Sequence, residues 1–316
     1  MVAFIILNYN TWEMTIQCVD SIFKTCKLDY TIYIVDNGSN NKSYEELTKQ
    51  YRNNPNVKVI KSENYGYAIG NNIGIKKAIE DGHEFVTVTN NDVIFLDNSI
   101  SEMHSFLKIN PNVAVTAPYI LSSEGRIRDL PTLKPLSKSD YLFHNTKLNK
   151  FTSAKSKQRF DQEYYLSAIS IKDDPIPIYK FSGCCFMARS VDFMKVELFD
   201  EHTFLYYEED ILSHKMYKAG LKSFFLPDAK IVHHHGQTTG KENLFVDTEM
   251  FKSEIYFLAR VYQLNYLLLL LIYLDRAITP LMKKLKHAYK LSFSEYKDFL
   301  KKTWSHFRKY SKLHKD

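Results

Sequence analysis

Cysteine is scarce in this sequence and is not arranged in any paired motif. The 316 residues include four cysteines, and none of them belongs to a Cys-x-x-Cys pair. A disulfide framework is therefore not predicted, because disulfide-stabilised scaffolds carry closely spaced cysteines. Unpaired cysteines favour a reducing, cytoplasmic compartment. The composition, with 45% hydrophobic and 25% charged residues, favours a well-packed globular core.

Long apolar runs are also missing. The run Tyr266–Leu274 has nine apolar or aromatic residues, whereas a membrane-spanning helix needs about 20. Arg260 and Asn265 interrupt any extension towards the amino end, so a buried or interfacial helix is the better prediction. The amino-terminal run Val2–Leu7 is not preceded by a basic region, and it predicts a first strand rather than a signal peptide.

No glycine follows this first predicted strand, which ends at Asn8-Tyr9-Asn10. A nicotinamide-binding fold would place Gly-x-Gly-x-x-Gly at this turn. A nucleotidyltransferase would need a glycine-rich loop with Lys or Arg at the same place. The absence of glycine therefore weakens both the nicotinamide-binding and the nucleotidyltransferase interpretations.

Positive charge is confined to one end of the chain. The net charge is +6, and residues 283–316 alone contribute +8, from eleven Lys/Arg and three Asp/Glu. The other 282 residues carry a net charge of −2. Such a tail favours binding to an anionic surface, either lipid or nucleic acid. The nucleic-acid reading rests on the tail alone and requires salt-sensitive binding.

Two predicted strands end on a carboxylate. Residues 85–89 contain alternating Val and Thr and stop at Asn90-Asn91-Asp92, and residues 30–35 are followed by Asp36. Ligands in open α/β sheets bind beyond the carboxyl ends of strands. Asp92 and Asp36 are therefore candidate ligand-binding residues, although both also fit a turn or a cap.

A glycine-rich stretch, residues 63–74, precedes a predicted helix at Ile75–Glu80. Its three glycines and three asparagines predict a loop that lets the backbone approach a ligand. The helix start would then face a phosphate. An ordinary loop is the alternative.

Two further clusters carry titratable groups. Glu208, Glu209 and Asp210 open a predicted helix that ends near Gly220. Acids in a first helical turn serve as caps, but crowded acids also raise a carboxylate pKa towards that of a general base. Residues 233–235 are three histidines followed by a glycine, and one of them is a candidate metal ligand.

Taken in order, these pieces resemble the inverting nucleotide-sugar glycosyltransferases of family 2, in particular the bacterial rhamnosyltransferase-like branch with a GT-A fold. The resemblance covers residues 1 to about 240. The matching motifs are Asn8-Tyr9-Asn10, Val35-Asp36-Asn37-Gly38-Ser39, the Asn/Gly-rich stretch from Glu63 to Gly74, Asn90-Asn91-Asp92, Ser182-Gly183, Glu208-Glu209-Asp210-x-Leu212 and His233-x-x-Gly236.

The resemblance implies roles for these residues. Within the nucleotide-sugar site, Tyr9 would stack on the base and Asp36 would hydrogen-bond it. Asp92 would bind Mg²⁺ or Mn²⁺, although Asn90 replaces the first aspartate of the family's metal motif. His233 would join the metal or diphosphate site. The residues implied in nucleotide-sugar binding are Asn8, Tyr9, Asp36, Asn64, Gly66, Asn71 and Asn91.

Either Glu209 or Asp210 would be the catalytic base. Counting back from Gly220 selects Glu209, and matching the family's Glu-Asp pair selects Asp210, which we take as the first expectation. The implied reaction is a single displacement at the anomeric carbon. A carboxylate must take the proton of the acceptor hydroxyl, and a hard cation would neutralise the leaving diphosphate. A histidine ligand favours Mn²⁺.

The predicted architecture is a GT-A Rossmann-like mixed α/β sheet flanked by helices at 1–240, with a variable acceptor-side insertion at 121–175. A C-terminal appendage of amphipathic basic helices follows at 241–316. An aromatic stripe from Phe293 to Phe307 with Lys and Arg beside it suits a helix on an anionic membrane. Packing on the catalytic domain or in a homodimer is the alternative.

The expected function is transfer of a UDP- or dTDP-sugar, with dTDP-rhamnose as one candidate, to a cell-surface glycan or lipid-linked acceptor at the cytoplasmic face of the membrane. The alternative is an inactive scaffold or a membrane-associated assembly subunit of a polysaccharide pathway. Nucleic acid is not an expected partner.

Overall fold

A computed structural model describes residues 1–166, 171, 172, 174–234, 243–285 and 290–312. Its nine strands are β1 Val2–Asn8, β2 Tyr30–Asn37, β3 Val57–Ser62, β4 Phe85–Asn90, β5 Val93–Phe95, β6 Val113–Leu121, β7 Ile176–Ile178, β8 Cys185–Arg189 and β9 Lys222–His233.

Twelve α-helices are described in the same residues. They are α1 Trp12–Thr25, α2 Ser43–Tyr51, α3 Tyr67–Glu80, α4 Ser99–Ile109, α5 Lys138–His144, α6 Ala154–Tyr164, α7 Ser190–Lys195, α8 Glu208–Lys218, α9 Leu244–Tyr256, α10 Tyr266–Ala277, α11 Thr279–Leu285 and α12 Phe293–Ser311. A 3₁₀ turn covers Lys147–Phe151 and a π-helical turn covers Phe257–Val261.

The strands form one mixed sheet in the order β3-β2-β1-β4-β8-β6-β9-β5, and β7 also pairs with β9. The first four strands are parallel neighbours, whereas β8 is antiparallel to both β4 and β6. Residues Val2–Ile6 of β1 are completely buried. A continuous apolar run is typical of a central parallel strand that is covered on both faces. The mixed sheet flanked by helices agrees with the predicted fold class.

Helix α3 begins at Tyr67, so the prediction of a loop as far as Gly74 is wrong. Gly70 and Gly74 lie inside this helix, facing β1. A Cβ atom on Gly70 would lie 2.5 Å from Leu7 Cδ1, and one on Gly74 would lie 2.7 Å from Ile5 Cγ2. These glycines therefore allow the helix to pack closely on the sheet, which outweighs their low helix propensity.

The segment that follows β6 contains α5, the 3₁₀ turn and α6. Residues 167–170 and 173 of the predicted insertion lie outside the described residues. Within the described part, Tyr141 of α5 belongs to the same apolar cluster as the C-terminal helices. The segment and the C-terminal helices are thus packed together.

The carboxyl-terminal helices have a core of their own. From helix α12, the side chains of Phe299, Phe307 and Tyr310 pack into this core against residues of α9 and α10. The predicted aromatic stripe is therefore divided, because Phe307 is 1% exposed whereas Phe293 is 83% exposed. Within the described residues, no helix combines the length and apolar character needed to cross a membrane.

Candidate active site

A cavity of about 460 Å³ lies beyond the carboxyl ends of β1 and β4, where the predicted site residues converge. We call it the first cavity. Of the residues predicted from sequence, the ones that line it are Tyr9, Asn64, Gly66, Asn91, Asp92, Glu209 and His233. A second cavity of about 400 Å³ adjoins it, and Glu209 lines both.

Four other predicted residues do not line the first cavity. Asn8 and Asp36 are both buried, and Asn8 Nδ2 donates a 2.8 Å hydrogen bond to Asp36 Oδ2. The Ser39 hydroxyl donates a second bond, of 2.7 Å, to the same oxygen. Asp36 thus organises the turn after β2, and its predicted contact with a base stays a prediction. Asn71 is buried in α3, and Asp210 lines only the second cavity.

The asparagine pair before Asp92 also has structural partners. The Asn91 side chain donates hydrogen bonds to the hydroxyls of Thr11 and Thr15, at 2.8 and 3.0 Å. It therefore ties the end of β4 to the start of α1. Asn91 also borders the first cavity, so these hydrogen bonds fix the cavity wall at the end of β4.

Asp92, Asp129 and His233 form a compact group at one side of the first cavity. The imidazole lies between the two carboxylates, with Nε2 3.2 Å from Asp92 Oδ1 and Nδ1 3.4 Å from Asp129 Oδ2. Cys184 has its sulfur close to the same group. Strand pairing brings the parts together, because β5 pairs with β9 in a register that places Val93 opposite His233.

The electrostatics of this group are those of a cation site. Burial alone would lower the pKa of His233, but interactions with Asp129, Asp92 and Cys184 outweigh it and raise the pKa to about 12. A positive charge is therefore favoured between the carboxylates. Asp92 is itself 5% exposed, and its Oδ1 faces the His233 imidazole. Two carboxylates and an imidazole are a suitable donor set for Mn²⁺, and carboxylates alone suit Mg²⁺.

Three acids enter the site on the first turn of α8. The residues just before them, Tyr206 and Tyr207, both adopt the left-handed conformation, with φ of 72° and 68°. Side chains with a Cβ rarely adopt this conformation, which costs about 1–3 kcal/mol per residue. The strained turn directs Glu208 and Glu209 towards the first cavity, since both line it.

Glu209 and Asp210 have different surroundings. Glu209 packs beside Gly183, where a Cβ atom would lie 3.4 Å from Glu209 Oε2. Asp210 forms an ion pair with Lys180, at 2.9 Å between Oδ1 and Nζ. Glu209 therefore borders the space between the cavities, while Asp210 is held by a cation.

Burial and charge set the protonation of these acids. Burial and the neighbouring Asp210 raise the pKa of Glu209 to about 6, although Lys180 opposes the rise. Burial and Glu209 raise the pKa of Glu208 to about 8. Near neutral pH, Glu208 is thus mainly a neutral acid and Glu209 mainly a carboxylate.

Several residues of the site were missed from the sequence. Asp129 lies in a stretch without periodicity, so nothing in the sequence marks it as a partner of His233. Lys180 gave no signal because a lone lysine is usually a surface residue. Tyr67, whose hydroxyl donates a 2.8 Å hydrogen bond to the Gly183 carbonyl, was assigned to a loop. His235 and Gly236 of the predicted motif lie outside the described residues.

Comparison with known proteins places this geometry in context. The model of the family described as Glycosyl transferase family 2 matches residues 3–172. An N-acetylglucosaminyl-diphospho-decaprenol L-rhamnosyltransferase from Mycobacterium tuberculosis is 26% identical over 225 residues, which are 67% of this chain and 69% of that protein.

Two solved structures share the fold. The structure of GalNAc-T7 with UDP, GalNAc and Mn²⁺ aligns with 99% of this chain at a TM-score of 0.59 and 16% identity, and the alignment spans 56% of that protein's chain. S. aureus TarS, residues 1–349, aligns with 97% of this chain and 80% of its own at a TM-score of 0.53 and 14% identity. These similarities confirm the predicted GT-A fold.

Proposed function

The chain belongs to glycosyltransferase family 2, and from this membership we propose that it is an inverting enzyme with a nucleoside diphosphate sugar as donor. The donor would be a UDP- or dTDP-sugar. Because the relative from Mycobacterium tuberculosis is named as an L-rhamnosyltransferase, dTDP-rhamnose is the leading candidate. The acceptor would be a hydroxyl of a cell-surface glycan or of a lipid-linked saccharide.

The observation that carries this proposal is the position of Glu209. Its carboxylate borders both cavities and has a pKa raised to about 6 by burial first and by Asp210 second. A donor sugar in the first cavity and an acceptor in the second would meet at this group. A sugar hydroxyl is a weak nucleophile at neutral pH, so a carboxylate with a pKa near the working pH is suited to accept its proton.

Glu209 is accordingly our choice for the base. Asp210 is neutralised by Lys180 and borders only the second cavity, which supports a positioning role. Glu208 is buried and favours its neutral form. As a protonated acid it can donate a hydrogen bond to a hydroxyl of the bound donor.

The nucleotide would lie against the strand ends of the amino-terminal half. Tyr9 would stack on the base, and Asn64 and Gly66 would border the diphosphate, since all three line the first cavity. Asn8 and Asp36 would hold the turn after β2. Asn71 would hold the first turn of α3 through its hydrogen bond to the Tyr67 carbonyl.

Asp92, Asp129 and His233 would hold Mg²⁺ or Mn²⁺. The ion would neutralise charge on the leaving diphosphate. Asp129 and His233 have ligand atoms close enough together to share one ion, and Asp92 Oδ1 lies 3.2 Å from the same imidazole. The imidazole must lose its proton to bind a metal. Metal binding would therefore release a proton at neutral pH.

The C-terminal helices would place the enzyme on the cytoplasmic face of an anionic membrane. An exposed apolar face supports this, and it lies on α10 and α11 rather than on α12. Its residues recur every three or four positions and are between 39% and 79% exposed; they are Leu267, Leu271, Leu274, Ile278, Leu281 and Leu285. Together with the basic residues of the tail, they would give an amphipathic surface suited to anionic lipid. The proposed division is a GT-A domain at 1–240 and this appendage at 241–316.

A donor panel tests the proposed function. Release of nucleoside diphosphate would be measured with UDP- and dTDP-sugars in Mn²⁺, Mg²⁺ or EDTA, for the wild type, Asp92→Ala and Glu209→Gln. We expect turnover of one donor with metal only, lost in both variants, while nucleotide binding survives in Glu209→Gln. If nucleoside diphosphates bind but no donor turns over, with or without crude glycolipid, the inactive scaffold becomes the better account.

A further inference from the structure

A cysteine lies among the residues of the proposed ion site. Of the four cysteines of the chain, Cys184 lines the first cavity, whereas Cys18 and Cys185 are completely buried. The Cys184 sulfur, a carboxylate oxygen of Asp129 and a ring nitrogen of His233 all lie within 4.8 Å of one another. Sulfur, oxygen and nitrogen donors from three side chains therefore converge at one place in the cavity wall.

Strand pairing fixes two of these three donors. The Cys184 carbonyl oxygen accepts a 2.8 Å hydrogen bond from the Asn90 N–H at the end of β4. His233 is the last residue of β9, and the N–H of the next residue, His234, donates a 2.9 Å hydrogen bond to the Asp92 carbonyl. The side chains of Cys184 and His233 are therefore held close together by the backbone of the sheet.

The third donor can adjust its position. The Asp129 side chain is 36% exposed, and its Oδ2 already lies 3.4 Å from His233 Nδ1. In tetrahedral zinc sites, bonds of about 2.0–2.3 Å place neighbouring donor atoms roughly 3.5 Å apart. A small movement of the Asp129 carboxylate would therefore close the three donors around one ion.

This donor set selects a class of cation. Mg²⁺ prefers an octahedral shell of oxygen ligands and gains little from sulfur. Thiolate and imidazole ligands instead suit Zn²⁺ and thiophilic, or sulfur-binding, cations like it. Catalytic zinc sites commonly have three protein ligands and one open position for water or substrate. Three donors at the wall of an open cavity match that arrangement.

We propose that Cys184 is a metal ligand beside Asp129 and His233, and that the site therefore holds a thiophilic divalent cation of the Zn²⁺ class more tightly than Mg²⁺. This inference rests on the ion site of the proposed function and deepens it, because it names the class of cation that the site selects. The thiol gives its proton to solvent when its sulfur coordinates the ion. Such a cation would displace Mg²⁺ from the site.

Co²⁺ spectroscopy tests the inference without a sugar donor. Co²⁺ occupies zinc sites and gives a thiolate-to-metal charge-transfer band in the near ultraviolet when sulfur coordinates it. The full chain, reduced and freed of metal, would be titrated with Co²⁺ as wild type, Cys184→Ala and Cys185→Ala. Cys185→Ala is the matched control, because Cys185 packs in the same apolar cluster as Cys184 but is completely buried.

We expect the charge-transfer band in wild type and in Cys185→Ala, and its loss in Cys184→Ala. Calorimetry should show that Co²⁺ affinity falls by more than about tenfold in Cys184→Ala, since changes even to the outer-shell partners of metal sites cost about 10–100-fold. Mg²⁺ affinity should stay unchanged in the same variant. Cys184→Ser, which keeps the shape of the side chain, should lose the band in the same way.

Three results would overturn the inference. The first is the absence of a charge-transfer band in wild type at saturating Co²⁺, which needs no variant to be folded. The second is a band that persists in Cys184→Ala. The third is an equal loss of Co²⁺ and Mg²⁺ affinity in Cys184→Ala, which would assign the sulfur a packing role.

The test is separate from that of the proposed function. If donor turnover is normal in Mg²⁺ or Mn²⁺ but the charge-transfer band is absent, the cysteine ligand is rejected and the proposed function stands. If the band is present and lost in Cys184→Ala but no donor turns over, the proposed function fails while the metal ligand is confirmed.

Discussion

Lys180 Nζ lies 2.9 Å from Asp210 Oδ1, and this ion pair distinguishes Asp210, the base expected first from the sequence, from its neighbour Glu209. Burial opposes the charge on Lys180, but Asp210 and Glu209 outweigh burial and raise its pKa. The lysine therefore stays charged beside both acids. It binds Asp210 directly and acts on Glu209 only through space, which leaves Glu209 able to accept a proton.

The first prediction concerns the identity of the base. Glu209→Gln should lower the rate of donor turnover by about 10²–10⁴-fold, the usual contribution of a general base. Asp210→Asn should lower it less than about tenfold, since a partly exposed ion pair contributes about 0–1 kcal/mol. Release of nucleoside diphosphate measures both. The opposite ranking would return the base to Asp210.

The second prediction concerns pH. A base must be deprotonated, so turnover should fall as the pH decreases through the Glu209 pKa of about 6. Lys180 lowers this pKa, and its removal in Lys180→Met should raise it. The acid limb of the pH–rate profile should then move to higher pH, with the rate at pH 8.5 affected much less than the rate at pH 6. An unmoved limb would show that Lys180 does not act on the base.

Much of the site could be predicted because strand ends carry their own sequence signals. The alternation of Val and Thr in residues 85–89 marks β4, and the polar residues after it mark the ligand edge. Asp92 was found in this way. Asp129 was not, because its segment has no periodicity and its contact with His233 spans more than one hundred positions of the chain.

The start of α3 was misjudged for a related reason. Gly66, Gly70 and Gly74 resemble a loop when only local conformational freedom is considered. Two of the three are instead required by packing against Leu7 and Ile5, which is a tertiary constraint. Only Gly66, with φ of 101°, has the conformation that the loop reading assumed.

The third prediction concerns the stability cost of Glu208. The pKa of this buried acid is raised to about 8 in the folded chain, above its ordinary value of 4.5. Between these two pH values the unfolded state is ionised and the folded state is protonated. Folding stability therefore falls as the pH rises through this window.

Glu208→Gln removes this titration. The melting temperature of the variant relative to wild type should rise progressively from pH 5 to pH 8, as measured by differential scanning fluorimetry. Glu102→Gln, on the exposed face of α4, should show no such trend. If the difference in melting temperature between Glu208→Gln and wild type does not change with pH, Glu208 is ionised in the folded protein as well.

The fourth prediction concerns the connection between the C-terminal helices and the strained turn. Tyr207 and Tyr141 place their hydroxyls 3.1 Å apart, and the Tyr141 hydroxyl donates to Glu254 Oε1 at 2.7 Å. Arg276 binds both oxygens of Glu254, each at 2.8 Å. Arg276→Gln leaves a carboxylate that is 3% exposed without its cation, which should cost about 3 kcal/mol of folding stability.

The double variant Glu254→Gln/Arg276→Met separates charge from architecture. It should recover most of the lost melting temperature, because no unpaired buried charge remains. Donor turnover should stay below wild type, with nucleotide affinity unchanged, since the Tyr141 hydroxyl loses a charged partner near the turn. Full recovery of both melting temperature and donor turnover would mean that the hydrogen bonds from Arg276 through Glu254 to Tyr141 contribute only to stability.

The fifth prediction concerns the exposed face of α10 and α11. Leu267 and Leu274 are 64% and 54% exposed, which is unusual for leucine in a packed helix. If this face enters an anionic bilayer, Leu267→Glu/Leu274→Glu removes apolar area and adds repulsion from the lipid. Flotation with vesicles of mixed anionic and zwitterionic lipid should then show a loss of binding. The control Ile109→Glu/Val191→Glu, at similarly exposed apolar positions on α4 and α7, should bind like wild type.

Raising the salt concentration should weaken wild-type binding without abolishing it, because the apolar contribution is not screened. Equal flotation of both double variants would move the membrane contact elsewhere, and purely salt-sensitive binding would assign it to the basic tail alone.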